Sequence, residues 1–124
     1  MTPTQTTPRK RVLIVNCYAD ETRRAVARRG KVPQTLGPIF LAGGFHPAHW
    51  DIKIHNEHSD GPLEDPELAG WPDLLVLTGL MTSLDRMRHV TAYARTRNPR
   101  VVVVGGGHVP RALPILCATF MDVV

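Results

Sequence analysis

Apolar residues in this chain fall into three short unbroken runs and one alternating run. Val12-Leu-Ile-Val15, Leu74-Leu-Val-Leu77 and Val101-Val-Val-Val104 are unbroken, the pattern of strands buried on both faces in a parallel sheet. Trp50-Asp-Ile-Lys-Ile-His55 alternates apolar with polar, which predicts a strand half exposed at a sheet edge. Between these runs the period changes. Glu21 to Arg29 favours helix until Gly30-Lys-Val-Pro33 stops it. A second helix from about Gln34 places Leu36, Ile39, Phe40 and Leu41 on one face and ends at Gly43-Gly44. A third runs from Ser83, a candidate N-cap, to Arg97, with Leu84, Met87, Val90 and Ala94 forming a buried stripe. A short helix over Arg111 to Thr119 leads to Asp122-Val-Val124, read as the opening of a last strand. Asn56 to Pro72 is rich in acidic residues and proline, and predicts a surface loop with one helical turn near Leu63 to Leu68.

Strands alternating with helices predict an α/β domain in which right-handed crossovers cover both faces of a parallel sheet. The expected fold is a doubly wound, flavodoxin-like (Rossmann-like) three-layer domain. Its five strands take the order 2-1-3-4-5, with the alternating second strand at an edge and the chain stopping just after the last strand begins. Residues 1–10 are expected to be a disordered tail and 11–124 the domain. Such sheets bind ligands beyond the carboxyl ends of their strands, at the point where strand order reverses. The candidate edge is therefore Asn16-Cys17-Tyr18 after the first strand, Thr78-Gly79-Leu80-Met81-Thr82 after the third, and Gly105-Gly106-Gly107-His108 after the fourth.

Length and charge narrow the picture further. At 124 residues the chain holds one core. Its formal charge of +4 comes from basic residues that are scattered, without interleaved aromatics, so solvated faces or a domain interface are expected, and no nucleic-acid groove. Cys17 and Cys117 match no paired spacing, so neither a disulfide framework nor a zinc knuckle is implied. No apolar stretch approaches the ~20 residues of a membrane span and the start is polar. A cytoplasmic protein is expected, without a membrane partner. GxGxxG and GxxxxGK[ST] are both absent, so neither a dinucleotide fingerprint nor an NTP-binding loop is present.

The residues of the candidate edge also carry a family resemblance. Thr78-Gly79-Leu80 with the loop after it, followed by Val103-Val104-Gly105-Gly106-Gly107, resembles the cobalamin (vitamin B12)-binding domain family. The Val-Leu-Ile-Val-Asn opening, Val32-Pro33-Gln34-Thr35-Leu36-Gly37-Pro38 and the Gly-Gly-His pattern are similar to the amino-terminal domain of cobalamin-dependent radical S-adenosylmethionine enzymes, over about Arg11 to Val124. The resemblance implies that Thr78 and Leu80 line the nucleotide-loop side of the cofactor and that Gly105 and Gly106 let it approach the backbone, with Asn16 to Tyr18 facing the same cavity. Where many cobalamin domains carry Asp-x-His-x-x-Gly, this chain has Asp20-Glu21-Thr22-Arg23. That implies cobalamin held without a protein histidine on cobalt. The iron–sulfur cluster, S-adenosylmethionine and catalysis, of methyltransferase type, would belong to a carboxyl-terminal radical domain, leaving this segment without a catalytic residue of its own. The alternative is a flavodoxin-like binding or regulatory domain that has lost the cofactor.

The other reactive side chains are read more plainly. His46, His49, His55 and His58 gather in a short span, but a strand end and a loop lack the rigid face that metal ligands need, so surface or loop-capping roles are expected. Cys17 is either a displayed nucleophile or a small buried side chain, with no base near it in sequence. Asp20 and Asp85 have no partner at a spacing that defines an acid/base pair.

Overall fold

The computed structural model describes residues 8–18, 37–80 and 83–124, apart from the side chains of Phe40 and His108. The polar start, the helix expected over Glu21 to Arg29, and Met81 and Thr82 lie outside the described residues.

Four parallel strands form one sheet in the order β2-β1-β3-β4: β1 (Lys10–Asn16), β2 (Trp50–Asn56), β3 (Leu74–Thr78) and β4 (Val102–Gly105). The register brings the carboxyl ends level, pairing Asn16 with both Asn56 and Thr78, and Leu77 with Gly105. The expected fifth strand is not formed. A single parallel bridge, Val104 to Val123, lies beside β4, and the Asp122 carboxylate accepts from the Val103 amide at 2.8 Å. A side chain thus takes one donor that a full ladder would have used.

The unbroken runs of β1 and β3 are largely buried, whereas β4, the other edge of the sheet, leaves Val102 43% exposed, so the burial on both faces expected for its run is not met. Val12, Leu13, Ile14 and Val15 are all fully buried, each contributing about 1.5–3 kcal/mol relative to exposure. Because side chains alternate across a strand, Leu13 and Val15 join Leu75, Leu77 and Val103 on one face, while Val12, Ile14 and Val76 point to the other. On the first face lies α4 (Leu84–Arg97), which presents Met87, Val90 and Ala94, three of the four residues of the predicted stripe; Leu84 packs at the margin. Leu41 and Ala42 of α1 (Gly37–Gly43), with Phe45, cover part of the second face. β2 is an edge strand; its burial alternates from Trp50 to Lys53 and then breaks, since Ile54 is exposed as well.

The acidic, proline-rich loop holds two short helices, α2 (Glu57–Asp60) and α3 (Pro66–Gly70). Asn56 and Asp65 cap them, accepting from the amides of His58 and Glu67. Beyond β4 come α5 (His108–Ala112) and α6 (Pro114–Cys117). They replace the single helix expected over Arg111 to Thr119, because Pro114 has no amide to continue the first. Among the described residues no helix is long and apolar enough to cross a membrane.

Candidate functional site at the carboxyl edge of the sheet

The strand ends predicted to meet do meet. The Cys17 amide donates to the Thr78 carbonyl at 2.8 Å and the Gly106 amide to the Leu77 carbonyl at 2.9 Å, so backbone pairing continues past β1 and β4 into their loops. Ser83 ties the first two ends together. Its hydroxyl donates to the Cys17 carbonyl and accepts from the Leu80 amide, both at 3.2 Å. Although it stands at the N-cap position of α4, it makes no side-chain cap hydrogen bond. This corrects the capping role expected from sequence: a fully buried hydroxyl is placed where two strand-end loops need joining. Gly79 permits that closeness, since a Cβ there would lie 2.8 Å from the Ser83 Cβ.

The three glycines after β4 serve different ends. A Cβ on Gly105 would run into the Met121 thioether and Pro110, so this glycine belongs to internal packing. Gly107 has φ +95° and its Cβ position lies 3.1 Å from the Thr78 hydroxyl oxygen, which brings the β3 and β4 loops together. Gly106 differs from both. Nothing lies within 4 Å of where its Cβ would be, and its φ is not in the positive region. The fold requires no glycine there.

Gly106 borders a cleft of about 570 Å³, within the size range of small-molecule sites. Its lining is Gly105, Gly106 and Gly107 of the turn, Pro110, Arg111 and Pro114 of the two helices after it, and Val124. Asn16, Cys17, Tyr18, Thr78, Gly79 and Leu80 are not part of this lining. The first two are buried, at 6% and 0% exposure, whereas Leu80 is 52% exposed on the loop. His108 follows the turn as the first residue of α5, while Met81 and Thr82, also expected at the edge, fall outside the described residues.

Comparison with protein families, curated proteins and solved structures finds no match for this chain. The case for function therefore stands on the residues of the edge.

A buried ion pair that the sequence did not suggest supports this edge from below. The Glu57 carboxylate accepts from the Arg86 guanidinium through Nε at 2.9 and 3.0 Å and through Nη2 at 2.5 Å. It also accepts from the Tyr18 amide at 3.3 Å and the Leu63 amide at 2.7 Å. Arg86 in turn lies over the Tyr18 ring, 5.0 Å from its centroid. One carboxylate thereby fixes the loop after β1, the loop after β2 and the first turn of α4. A lone acid in an acid-rich loop and one of several helix arginines left no spacing signal for this contact.

The same neighbourhood settles the chemistry of Cys17. Burial pushes its thiol well above the ordinary value, the Glu57 charge adds to that, and Arg86 opposes it in part. A thiol held protonated is a poor nucleophile, so the buried reading holds. The histidines fill loop roles. His46 Nδ1 accepts from the Ala48 amide at 3.0 Å and His55 Nε2 bonds the Gly61 carbonyl at 2.8 Å. Burial lowers the His58 pKa below its usual value, against the opposing pulls of a hydrogen bond with the Cys17 backbone and the Glu57 charge. Its Nδ1 has no partner among the described residues. No group of three or more potential metal-ligating side chains occurs among those residues.

Proposed function

We propose that this chain is a cobalamin-binding domain of the kind found in cobalamin-dependent radical S-adenosylmethionine enzymes, with the glycine turn after β4 as its cofactor contact. The observation that carries the reading is Gly106. It is a glycine that neither backbone conformation nor packing requires, placed where a cleft meets the backbone. A missing Cβ at such a point lets a flat or bulky ligand reach the peptide plane. Thr78, whose hydroxyl stands against the Gly107 turn, and Leu80, exposed on the adjoining loop, lie outside the cleft lining and would meet only a ligand that extends past that turn. The cleft suits the nucleotide tail or one margin of a corrin.

The four parallel strands in the order 2-1-3-4, with the switch point between β1 and β3, are compatible with a flavodoxin-like domain. Cobalamin, when bound, would supply one-carbon transfer chemistry. This chain's residues hold and orient the cofactor, and the radical chemistry, with its iron–sulfur cluster and S-adenosylmethionine, falls to a partner domain. The two free cysteines agree with a reducing, cytoplasmic setting for such a domain.

The test is to add hydroxocobalamin at high micromolar concentration to the purified, folded chain and separate bound from free by gel filtration. Corrin absorbance should travel with the protein and fall in Gly106→Ala, whose added methyl enters the cleft without touching the fold. Failure of the folded chain to retain cobalamin would favour a flavodoxin-like domain that has lost the cofactor.

A further inference from the structure

β2 forms the rim of the sheet at the far end of the strand order from the glycine turn and its cleft. Along a strand the backbone groups of successive residues point to opposite neighbours, and the Lys10 amide donates to the His49 carbonyl at 3.1 Å. The odd-numbered residues of β2 therefore face β1, and Trp50, Ile52, Ile54 and Asn56 turn their amides and carbonyls outward. Both ends of this outer row are closed from within the chain: the Trp50 amide donates to the His46 carbonyl at 3.1 Å and the Asn56 amide to the Asp60 carboxylate at 3.0 Å. Between those ends the Ile52 and Ile54 amides and the Trp50, Ile52 and Ile54 carbonyls have no partner on the outer side among the described residues. The open window is centred on Ile52.

We infer that this window pairs antiparallel with the same window of a second copy of the chain, about a two-fold axis at Ile52. A two-fold contact sets one surface against itself, so the position of the axis decides which side chains stand opposite each other. An axis at Asp51 would oppose two aspartates, and an axis at Lys53 two lysines. Only the axis at Ile52 sets Asp51 opposite Lys53 of the second copy, and does so twice by symmetry. Unlike charges directly opposite stabilise a strand pair and like charges oppose it, so charge selects the central register. The same axis sets Trp50 opposite the exposed Ile54, an aromatic against a β-branched side chain, and Ile52 opposite its own copy.

The backbone agrees with that register. Ile52 exchanges hydrogen bonds with Ile52 of the second copy, and each Ile54 amide meets the Trp50 carbonyl opposite; the Trp50 amide, already taken by His46, is not needed. The side chains are free to take part. Arg9 holds Asp51 through Oδ1 alone, and Lys53 Nζ lies 4.4 Å from the centroid of the Trp71 ring with no carboxylate partner among the described residues. A lysine on an edge strand ordinarily keeps other edges away. Asp51, two residues before it, turns that repulsion into attraction in one register only.

Sedimentation equilibrium of the whole chain from about 10 μM to about 1 mM tests the pairing, with a reversible monomer–dimer equilibrium expected for wild type. Asp51→Lys and Lys53→Asp should each weaken the dimer about tenfold, because either leaves like charges opposite at both symmetric positions. Mixed in equal amounts, the two variants should associate with each other, since two lysines of one chain then face two aspartates of the other. The doubly exchanged chain, Asp51→Lys with Lys53→Asp, should return to within about threefold of wild type. Both side chains are exposed, so thermal melts of the variants should match wild type. Hydrogen exchange at the Ile52 and Ile54 amides should slow as concentration rises. A monomer throughout, singly exchanged variants that dimerise like wild type, or a mixture that does not associate would overturn the inference. So would Ile52 and Ile54 amides whose protection does not change with concentration, since the edge would then be covered within one chain or left out of the contact.

Discussion

Glu57 and Arg86, 29 residues apart, close a two-pronged ion pair in which the carboxylate side chain is wholly sealed from solvent and the arginine side chain is 17% exposed. Every oxygen of the carboxylate has a donor, from the guanidinium and from two backbone amides. The cost of burying the charge is thereby offset only while all partners stay. Arg86→Met should therefore destabilise the fold by about 3–5 kcal/mol, because it strands a buried anion. A double substitution, Glu57→Leu with Arg86→Met, should recover a substantial part of that loss. Urea unfolding of the two single variants and the double variant measures the coupling; additive losses would show that the pair does not act as a unit.

The two buried cysteines should be silent in the native state. Cys17 and Cys117 are fully buried, and burial raises the Cys17 thiol well above the range in which thiolate forms. Ellman's reagent at pH 8 should label neither until denaturant is added, and then both. Rapid labelling of the native chain at Cys17 would return it to the list of displayed nucleophiles.

Ser83→Ala should cost about 1–3 kcal/mol, because it leaves the buried Cys17 carbonyl and the Leu80 amide without their hydroxyl partner. A helix-cap loss alone would be felt in the first turn of α4. A strand-end tie predicts faster amide exchange at Leu80 instead, and hydrogen exchange separates the two.

Adjacent glycines should respond oppositely to the same methyl. Gly105→Ala drives a Cβ into Met121 and Pro110, which should cost about 1–3 kcal/mol as overpacking. Gly106→Ala meets nothing and should leave stability within about 1 kcal/mol, rising if it changes at all, through a less flexible unfolded chain. Thermal melts of both variants test this, and equal losses would deny that Gly106 is free of the fold.

Stability should fall as pH drops below about 6.5, the ordinary histidine value, in part through His58. Burial lowers the folded-state pKa of this group, so below 6.5 the unfolded chain binds its proton more readily than the folded one does, and the loss grows until the folded pKa is reached. The Glu57 charge and the hydrogen bond with Cys17 oppose the shift without reversing it. His58→Gln should flatten this part of the profile in urea unfolding between pH 7.5 and pH 5; an unchanged slope would place the titration elsewhere.

Local pattern was sufficient for the sheet. Unbroken apolar runs mark strands and the alternating run from Trp50 marks an edge, so strand identity, parallel direction and the order β2-β1-β3-β4 were legible from residues alone, whereas the exposure of Val102 on the second edge, β4, was not. The convergence of Cys17, Thr78 and Gly106 followed from the same logic, since parallel strands present their carboxyl ends together. What tertiary structure decided depends on distance in sequence. The meeting of Glu57 with Arg86 and the true partners of the Ser83 hydroxyl carry no period or motif. The division of labour among Gly105, Gly106 and Gly107 likewise turns on Met121, Pro110 and Thr78, which only folding brings beside them. Periodicity records which face a residue must bury; it does not record which distant side chain will be waiting there.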